Sequence, residues 1–269
     1  LAIKTILHGS CDVVHVDAND QLVVSETNVV KSYDVTDNAD GSRTYTFTLF
    51  DDLKWSNGDP ITAKDYVACL LAWASPEWVK AGASSTLGQG LVGYLDYYRG
   101  YKSDENGLAV NAAGETIEVQ TQAVDEDGNP AVDEDGNPVM ESNLADIQDQ
   151  LVPVTDFAGV SMPDELTFSL TIDAAELPYF YEMVYVALGP IYMPTWVPGA
   201  EVVSDENGCH FEFSEGDLQT CLNNIASGER FAPTVTCGPY KFVSFENKIV
   251  TLEKNEYFKT DYEGNTPQL

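Results

Sequence analysis

The stretch TYTFTLFDDLKWSNGDPITAKDY, residues 44–66, predicts a strand, a tight turn and a helix in immediate succession. Over residues 44–49, threonine alternates with tyrosine, phenylalanine and leucine, which is the two-residue period of a half-buried strand. The dipeptide Asn57-Gly58 favours a positive φ, and Pro60 ends any ladder of strand hydrogen bonds. A hairpin therefore leads the chain into the segment that follows.

That segment has the start signals of a helix. Thr62 stands at the N-cap position with Asp65 three residues later, which is the spacing of a capping box. Residues 63–74, AKDYVACLLAWA, are mostly apolar, and Pro76 follows them. The sequence therefore predicts a largely buried helix over residues 63–74.

The composition of the chain disfavours two classes of binding partner. The chain has 269 residues, enough for one large domain or two ordinary ones, and a hydrophobic content of 43% argues against disorder. There are 44 Asp and Glu against 13 Lys and Arg, a formal net charge of −31. Nucleic acids and anionic membrane surfaces bind positive protein faces, so both are disfavoured. The acidity is typical of an exported or salt-adapted surface.

The hydropathy and the N-terminal residues bear on membrane insertion and on processing. No run of apolar residues approaches the length of a transmembrane helix. The chain begins LAIKTIL, without Met and without a full signal-peptide pattern, which favours a fragment or a processed form.

The cysteines are too sparse for a disulfide framework, because they are odd in number and have no CxxC spacing. They are Cys11, Cys69, Cys209, Cys221 and Cys237. Cys209 and Cys221 lie across a polar loop and could pair in an exported protein. The alternative is five reduced thiols, some of them buried as small hydrophobic side chains.

Two segments resemble metal sites. The octapeptide AVDEDGNP occurs in tandem at 123–130 and 131–138, with the oxygen spacing of a calcium loop. Proline stands where such loops need glycine, and neither copy has a Glu at the twelfth position, so we favour consecutive tight turns on an exposed insertion. Near the N-terminus, strand-like alternation separates the candidate ligands, and no metal site is predicted. Those candidates are His8, Cys11, Asp12 and His15.

No constellation of catalytic residues is present. The chain has three histidines, no GxSxG motif and no cysteine in an activating motif. We therefore expect a protein that is not an enzyme, with no catalytic residue, no metal and no cofactor. Two other classes stay open: a secreted acidic glycoside hydrolase with two carboxylates in one cleft, and a non-catalytic surface module that binds a macromolecule through a flat face.

The rest of the chain mixes helices and strands. Helical patterns cover residues 84–101, 144–151, 178–194 and 216–228. Alternation predicts a strand at 165–172, and two alternating runs with a turn between them predict a hairpin at 238–258.

Three motifs, in order, resemble extracellular solute-binding proteins of family 5, the oligopeptide-, dipeptide- and nickel-binding components of ABC importers. The first motif is the stretch 44–66, the second is GVSMPDELTFSLTI at 159–172, and the third is TCGPYKFVSFENKIVTLEKNEYF at 236–258. The residues that match in the first are Tyr45, Phe47, Leu49, Trp55, Gly58, Pro60, Thr62, Ala63 and Asp65. Those in the third are Gly238, Pro239, Tyr240, Asn255, Tyr257 and Phe258. Departures are Phe50-Asp51-Asp52 in place of Arg-Asp-Gly, and Thr236-Cys237 in place of Gly-Thr.

The resemblance implies an α/β fold of the periplasmic-binding-protein type (type II, cluster C). Residues 1–44 and 191–269 would form parts of a first lobe. Residues 45–190 would form an inserted α+β subdomain that carries the polar insertion 103–143. In this family a second lobe follows the Gly-Pro-Tyr region, and it would be absent from this chain.

The resemblance also implies a function: the substrate-binding component of an ABC importer, which captures peptides or a similar small solute and delivers them to permease subunits. The protein would be extracellular or at the cell surface, or periplasmic if the source has an outer membrane. It would contact the membrane only through a lipid anchor outside this chain, and it would bind no nucleic acid. The ligand-binding residues implied for the first lobe are Ile6, Leu7, His8, Gly9, Ser84, Ser85 and Thr86.

Overall fold

The structure is a computed structural model that describes residues 7–124, 129–225, 228–229 and 232–267. Contacts divide the chain into two compact units. One combines Leu1–Tyr94 with Asp156–Leu269, and the other is Leu95–Thr155. The division into lobe segments near residues 44 and 190 stays a prediction.

All pairings between the named strands are antiparallel. The strands are β1 (Val14–Val16), β2 (Leu22–Val24), β3 (Val30–Asp37), β4 (Arg43–Leu49), β5 (Gln120–Gln122), β6 (Met140–Ser142), β7 (Val160–Asp164), β8 (Thr167–Ile172), β9 (Ala200–Asp205), β10 (Gly208–Phe213), β11 (Tyr240–Glu246) and β12 (Ile249–Lys254). The helices are α1 (Ala63–Trp73), α2 (Pro76–Lys80), α3 (Tyr94–Arg99), α4 (Met193–Trp196) and α5 (Leu218–Ile225), with 3-10 helices at Ala174–Glu176 and Glu182–Val186. In the part of the chain that the structure describes, no helix is long and apolar enough to cross a membrane.

The largest sheet has the strand order β3-β4-β8-β7. Three side chains of β4, Tyr45, Phe47 and Leu49, are buried, as the two-residue period predicts. The side chains between them pair with hydroxyl groups of β8, and Thr46 Oγ1 lies 2.9 Å from Ser169 Oγ. The strand predicted from the opening stretch is confirmed.

Helix α1 begins at the predicted capping box and packs on this sheet. The Asp65 carboxylate accepts the backbone N–H of Thr62 at 2.8 Å, which satisfies an amide that the helix itself leaves without a partner. The Tyr66 ring stacks on Phe168 of β8 with ring centroids 5.5 Å apart. The predicted helix is therefore confirmed, over Ala63–Trp73.

The turn before α1 is joined to the hairpin of β11 and β12. Gly58 has a φ of +92°, and a Cβ at this residue would lie 3.1 Å from the ring of Tyr257. The N–H of Ser56 donates to the carbonyl oxygen of Thr236 at 2.8 Å. We call these four residues the signature junction, because they connect the first and third motifs. The hairpin predicted at 238–258 is confirmed.

Three predicted helices are wrong in extent or in kind. Of residues 84–101, only Tyr94–Arg99 is helical, because the glycines before it adopt positive φ. Residues 178–194 form a 3-10 helix at Glu182–Val186 and the short helix α4, since prolines and a glycine interrupt the apolar run. Residues 144–151 form turns.

The unit Leu95–Thr155 is rich in tight turns. In the second octapeptide, the Asp133 carboxylate accepts the N–H groups of Asp135 at 2.9 Å and Asn137 at 2.8 Å. These hydrogen bonds lower the pKa of Asp133, and the one from the Asn137 backbone has the largest effect. The turn interpretation is confirmed for this copy, whereas residues 125–128 of the first copy lie outside the described residues.

Candidate functional site

The first predicted ligand segment, Ile6 to Gly9, lies beside the third motif. Leu7 is buried, and its carbonyl oxygen accepts the N–H of Gly238 at 2.8 Å. His8 and Gly9 are half-buried. Ile6 lies outside the described residues. The start of β11 therefore holds this segment in place through the backbone.

The second predicted segment, Ser84 to Thr86, borders an open cleft of about 670 Å³. Ser84 and Thr86 are exposed. Ser85 Oγ accepts the N–H of Leu87 at 3.0 Å, so this hydroxyl stabilises the local turn. The described residues that line the cleft are Ser84, Ser85, Thr86, Leu87, Gly88, Gln89, Val184 and Tyr185. The structure therefore brings Ser84, Ser85 and Thr86 into one cleft, and Leu7, His8 and Gly9 are not among its lining residues.

Glycines allow the floor of this cleft to approach its aromatic wall. Gly90 has a φ of +87°, and a Cβ at this residue would lie 2.6 Å from two ring carbons of Tyr185. The Tyr185 hydroxyl donates to Glu176 Oε2 at 2.8 Å. This hydrogen bond raises the pKa of Tyr185 and fixes the orientation of its ring. The ring is therefore a rigid surface against which a ligand side chain can pack.

Backbone donors are available along one edge of the cleft. The N–H groups of Ser84, Ser85 and Thr86 have no hydrogen-bond acceptor within the described ranges. The segment belongs to neither a helix nor a sheet, so these N–H groups are not used in regular secondary structure. Across the cleft, Val184 is 51% exposed and offers an apolar contact. The arrangement suits a ligand that has carbonyl acceptors and apolar side chains.

A second cleft, of about 480 Å³, surrounds an ion network. Both oxygens of Glu182 lie 2.7 Å from Arg43 Nη1, and the Tyr45 hydroxyl donates to the same carboxylate at 2.5 Å. The hydrogen bond to Glu182 raises the pKa of Arg43, and burial together with the same carboxylate raises that of Tyr45. Because these charges satisfy one another, we interpret the network as structural. Phe180 lines this cleft and is 80% exposed.

One group of described side chains has the composition of a metal site. Asp156, Asp205 and His210 have ligand atoms within 4.8 Å of one another. His210 Nδ1 lies 2.8 Å from Asp156 Oδ1, and an oxygen of Asp205 accepts the N–H of Asn207 at 2.7 Å. Since the close contact of His210 with Asp156 and a turn at Asp205 account for these distances, we assign no metal to the group. Among the disfavoured N-terminal candidates, His15 Nδ1 is 2.9 Å from Ser25 Oγ.

A family model described as bacterial extracellular solute-binding proteins, family 5 Middle, matches residues 26–269. The chain belongs to this family. The resemblance inferred from the three motifs is therefore confirmed. Family 5 is a family of solute-binding proteins, which agrees with the expectation that this chain is not an enzyme.

This chain is similar to parts of larger proteins. The dipeptide-binding protein DppE of Bacillus subtilis is 39% identical over 84 residues, which are 30% of this chain and 15% of that protein. The structure of OppA from Burkholderia pseudomallei matches with a TM-score of 0.50 and 18% identity, over 95% of this chain and 34% of that chain. Haemophilus influenzae OppA, in complex with RPPGFSPFR, matches with a TM-score of 0.50 and 18% identity, over 97% of this chain and 35% of that chain. The predicted α/β, periplasmic-binding-protein-like fold is confirmed, and the chain spans about a third of the length of these structures.

The aromatic wall of the cleft was not predicted from the sequence. Val184 and Tyr185 lie in the stretch 178–194, whose apolar composition predicted a helix. A signal was present in Gly90, which lies in the segment 84–101 that was also predicted to be helical. A glycine inside such a segment can also mark a backbone that passes close to another group, here the Tyr185 ring.

Proposed function

We propose that this family 5 chain is part of the substrate-binding component of an ABC importer, which captures peptides outside the membrane and delivers them to a permease. The observation that supports this most directly is that Ser84, Ser85 and Thr86 border an open cleft and that their N–H groups have no acceptor within the described ranges. A peptide presents carbonyl acceptors along its main chain, so backbone N–H groups at the cleft can bind it whatever its side chains are. A broad range of peptides is therefore accepted.

The surroundings of the cleft favour neutral or cationic peptides. Val184 and Tyr185 provide apolar contact for side chains. The formal net charge of −31 repels anionic solutes and attracts cationic ones during encounter. The names of similar proteins also point to peptides. One is named a dipeptide-binding protein, and another was solved with the arginine-containing peptide RPPGFSPFR.

The remaining parts of the proposal follow family 5 as a whole. Ile6 to Gly9 contact the ligand from a first lobe, which is built from residues 1–44 and 191–269. Ser84 to Thr86 contact it from the subdomain 45–190 that is inserted into this lobe. A second lobe closes over the ligand. The protein works outside the cytoplasmic membrane, held there by a lipid anchor beyond this chain, and its partners are permease subunits rather than nucleic acid.

Peptide titration followed by amide NMR tests the site. The chain supplies only part of a two-lobed clamp, so we expect binding of RPPGFSPFR that is on the order of millimolar or weaker. Chemical shifts should change at Ser84 to Thr86 and at Val184, whereas maltose should change none of them. Micromolar binding by this chain alone would show that the site is misplaced. Shift changes with maltose but not with peptide would contradict the peptide assignment.

Two variants at one position separate backbone from side-chain recognition. Thr86→Pro removes the N–H and should abolish the peptide-dependent shifts, because proline has no amide donor. Thr86→Ala removes only the hydroxyl and should leave these shifts in place. Circular dichroism must show both variants folded. Equal loss of the peptide-dependent shifts in both variants would contradict main-chain recognition. Separately, the absence of two permease genes and two ATPase genes beside the gene for this chain would contradict the importer role.

A further inference from the structure

Two cysteines that are distant in sequence lie side by side in the core. Cys11 Sγ donates to the carbonyl oxygen of Cys237 at 3.1 Å, across a sequence separation of 226 residues. Cys237 Sγ in turn donates to the carbonyl oxygen of His8 at 3.7 Å. The two cysteines are 7% and 2% exposed, and all five cysteines of the chain are thiols in the structure.

The backbone on both sides of this pair is held in place. The carbonyl oxygen of Leu7 accepts the N–H of Gly238 at 2.8 Å, one residue beyond Cys237. The Tyr66 hydroxyl donates to the carbonyl oxygen of Cys11 at 2.7 Å. Hydrogen bonds therefore hold in place the segments that carry the two thiols.

There is also room for the two sulfur atoms to meet. A cavity of about 20 Å³ is lined by both Cys11 and Cys237 and by Tyr66. This volume is about that of one small group, so some free space lies beside the two side chains. Because both thiols line the same cavity, a change of side-chain rotamer is the motion that bond formation calls for.

The surroundings give the two thiols different acidity. Burial raises the pKa of Cys11 well above its usual range, and the hydrogen bond to Cys237 adds to this. Burial also raises the pKa of Cys237, but its side-chain interactions with Cys11 and His8 outweigh burial and lower that pKa to about 7. Of the two thiols, that of Cys237 is therefore the more readily ionised, and the thiolate is the nucleophile in disulfide exchange.

We propose that Cys11 and Cys237 form a disulfide that fastens the segment around Leu7 to Gly9 onto the start of β11. The Cys237 thiolate attacks one sulfur of a small disulfide, such as oxidised glutathione, and releases one glutathione thiolate. The Cys11 thiolate then attacks the Cys237 sulfur of the mixed disulfide and releases the second. Two protein thiols lose two electrons and two protons, and the oxidant is reduced to two thiols. Because both cysteines are buried, the exchange takes place during folding or on transient opening.

Thiol mapping tests the bond directly. The purified chain is refolded with oxidised and reduced glutathione, denatured, alkylated and digested without reductant. We expect two of the five thiols to escape alkylation, and a linked peptide pair that contains Cys11 and Cys237. Alkylation of all five thiols would overturn the proposal, as would a linkage between Cys209 and Cys221. This test needs no variant, so it stands even if substitutions prevent folding.

Thermal unfolding tests the consequence. A cross-link over this loop should raise the melting temperature of the oxidised chain by roughly 5 to 15 °C over that of the reduced chain. The double variant Cys11→Ser/Cys237→Ser should lose this redox dependence. The matched control Cys209→Ser/Cys221→Ser should keep it. A redox-dependent shift that persists in the first double variant, or that disappears in the second, would overturn the assignment.

Discussion

Replacing Asp65 by asparagine should remove a pH dependence of stability that this buried carboxyl brings to the fold. The residue is 7% exposed. Burial raises its pKa from 3.8 to about 6, although the N–H of Thr62 acts in the opposite direction. Because the folded-state pKa lies above the unfolded value, folding favours the protonated carboxyl. Its contribution to stability is fully present below pH 3.8 and is lost as the pH rises through about 6.

The size of the effect follows from the same shift. A difference of about two pKa units corresponds to about 3 kcal/mol between the protonated and ionised limits. About 2 kcal/mol of this falls between pH 4.5 and pH 7.5, where denaturant unfolding is practical. Asparagine keeps an oxygen that can accept the Thr62 N–H, and it carries no charge at any pH. Asp65→Asn should therefore gain stability relative to the native chain as the pH rises.

Urea unfolding at several pH values checks this. The free energy of unfolding of the variant minus that of the native chain should increase by about 2 kcal/mol from pH 4.5 to pH 7.5. Taking this difference cancels the titration of the other carboxylates. Asp51→Asn, which removes an exposed carboxylate from the turn before Trp55, is the control for net charge and should give parallel curves. Parallel curves for Asp65→Asn as well would refute the reasoning.

Three further predictions concern the cap, the cleft and the insertion. Thr62→Ala should lower the free energy of unfolding in urea by roughly 1 kcal/mol or less, because the Thr62 hydroxyl donates to the Asp65 carboxylate at 3.3 Å. If stability does not fall, Asp65 alone caps α1. Gly90→Ala should cost roughly 1 to 3 kcal/mol through its φ and its clash with the Tyr185 ring, and adding Tyr185→Ala should restore part of this. Deleting residues 123–138 should leave a folded chain, since the insertion buries little apolar surface. A large fall in melting temperature, or a rise with calcium, would count against it.

The sequence predicted those parts of the fold that depend on neighbouring residues. Strand β4 follows from its alternating pattern, and α1 from Thr62 and Asp65, because periodicity and capping act over a few residues. Strand β8 and the hairpin of β11 and β12 were predicted for the same reason. In each case local preference and tertiary packing favour the same structure.

Prediction failed where distant contacts decide the local conformation. In residues 178–194 prolines and a glycine interrupt the apolar run, and Glu182 is in addition bound to Arg43 and Tyr45 far away in the chain. The contact between Cys11 and Cys237 is equally long in range, and the sequence suggested only the nearby pair of Cys209 and Cys221. Tertiary interactions of this kind produce no periodic pattern in the sequence.

The signature junction explains why the motifs identify the family better than they identify its ligand. Gly58 packs against Tyr257, and Ser56 is hydrogen-bonded to Thr236, so these four residues contact each other and do not line the cleft at Ser84 to Thr86. The cleft is instead lined by Ser84 to Gln89 and by Val184 and Tyr185, none of which belongs to a motif. Motif residues therefore stabilise the framework, and in the function proposed above the loops and 3-10 segment attached to it select the solute.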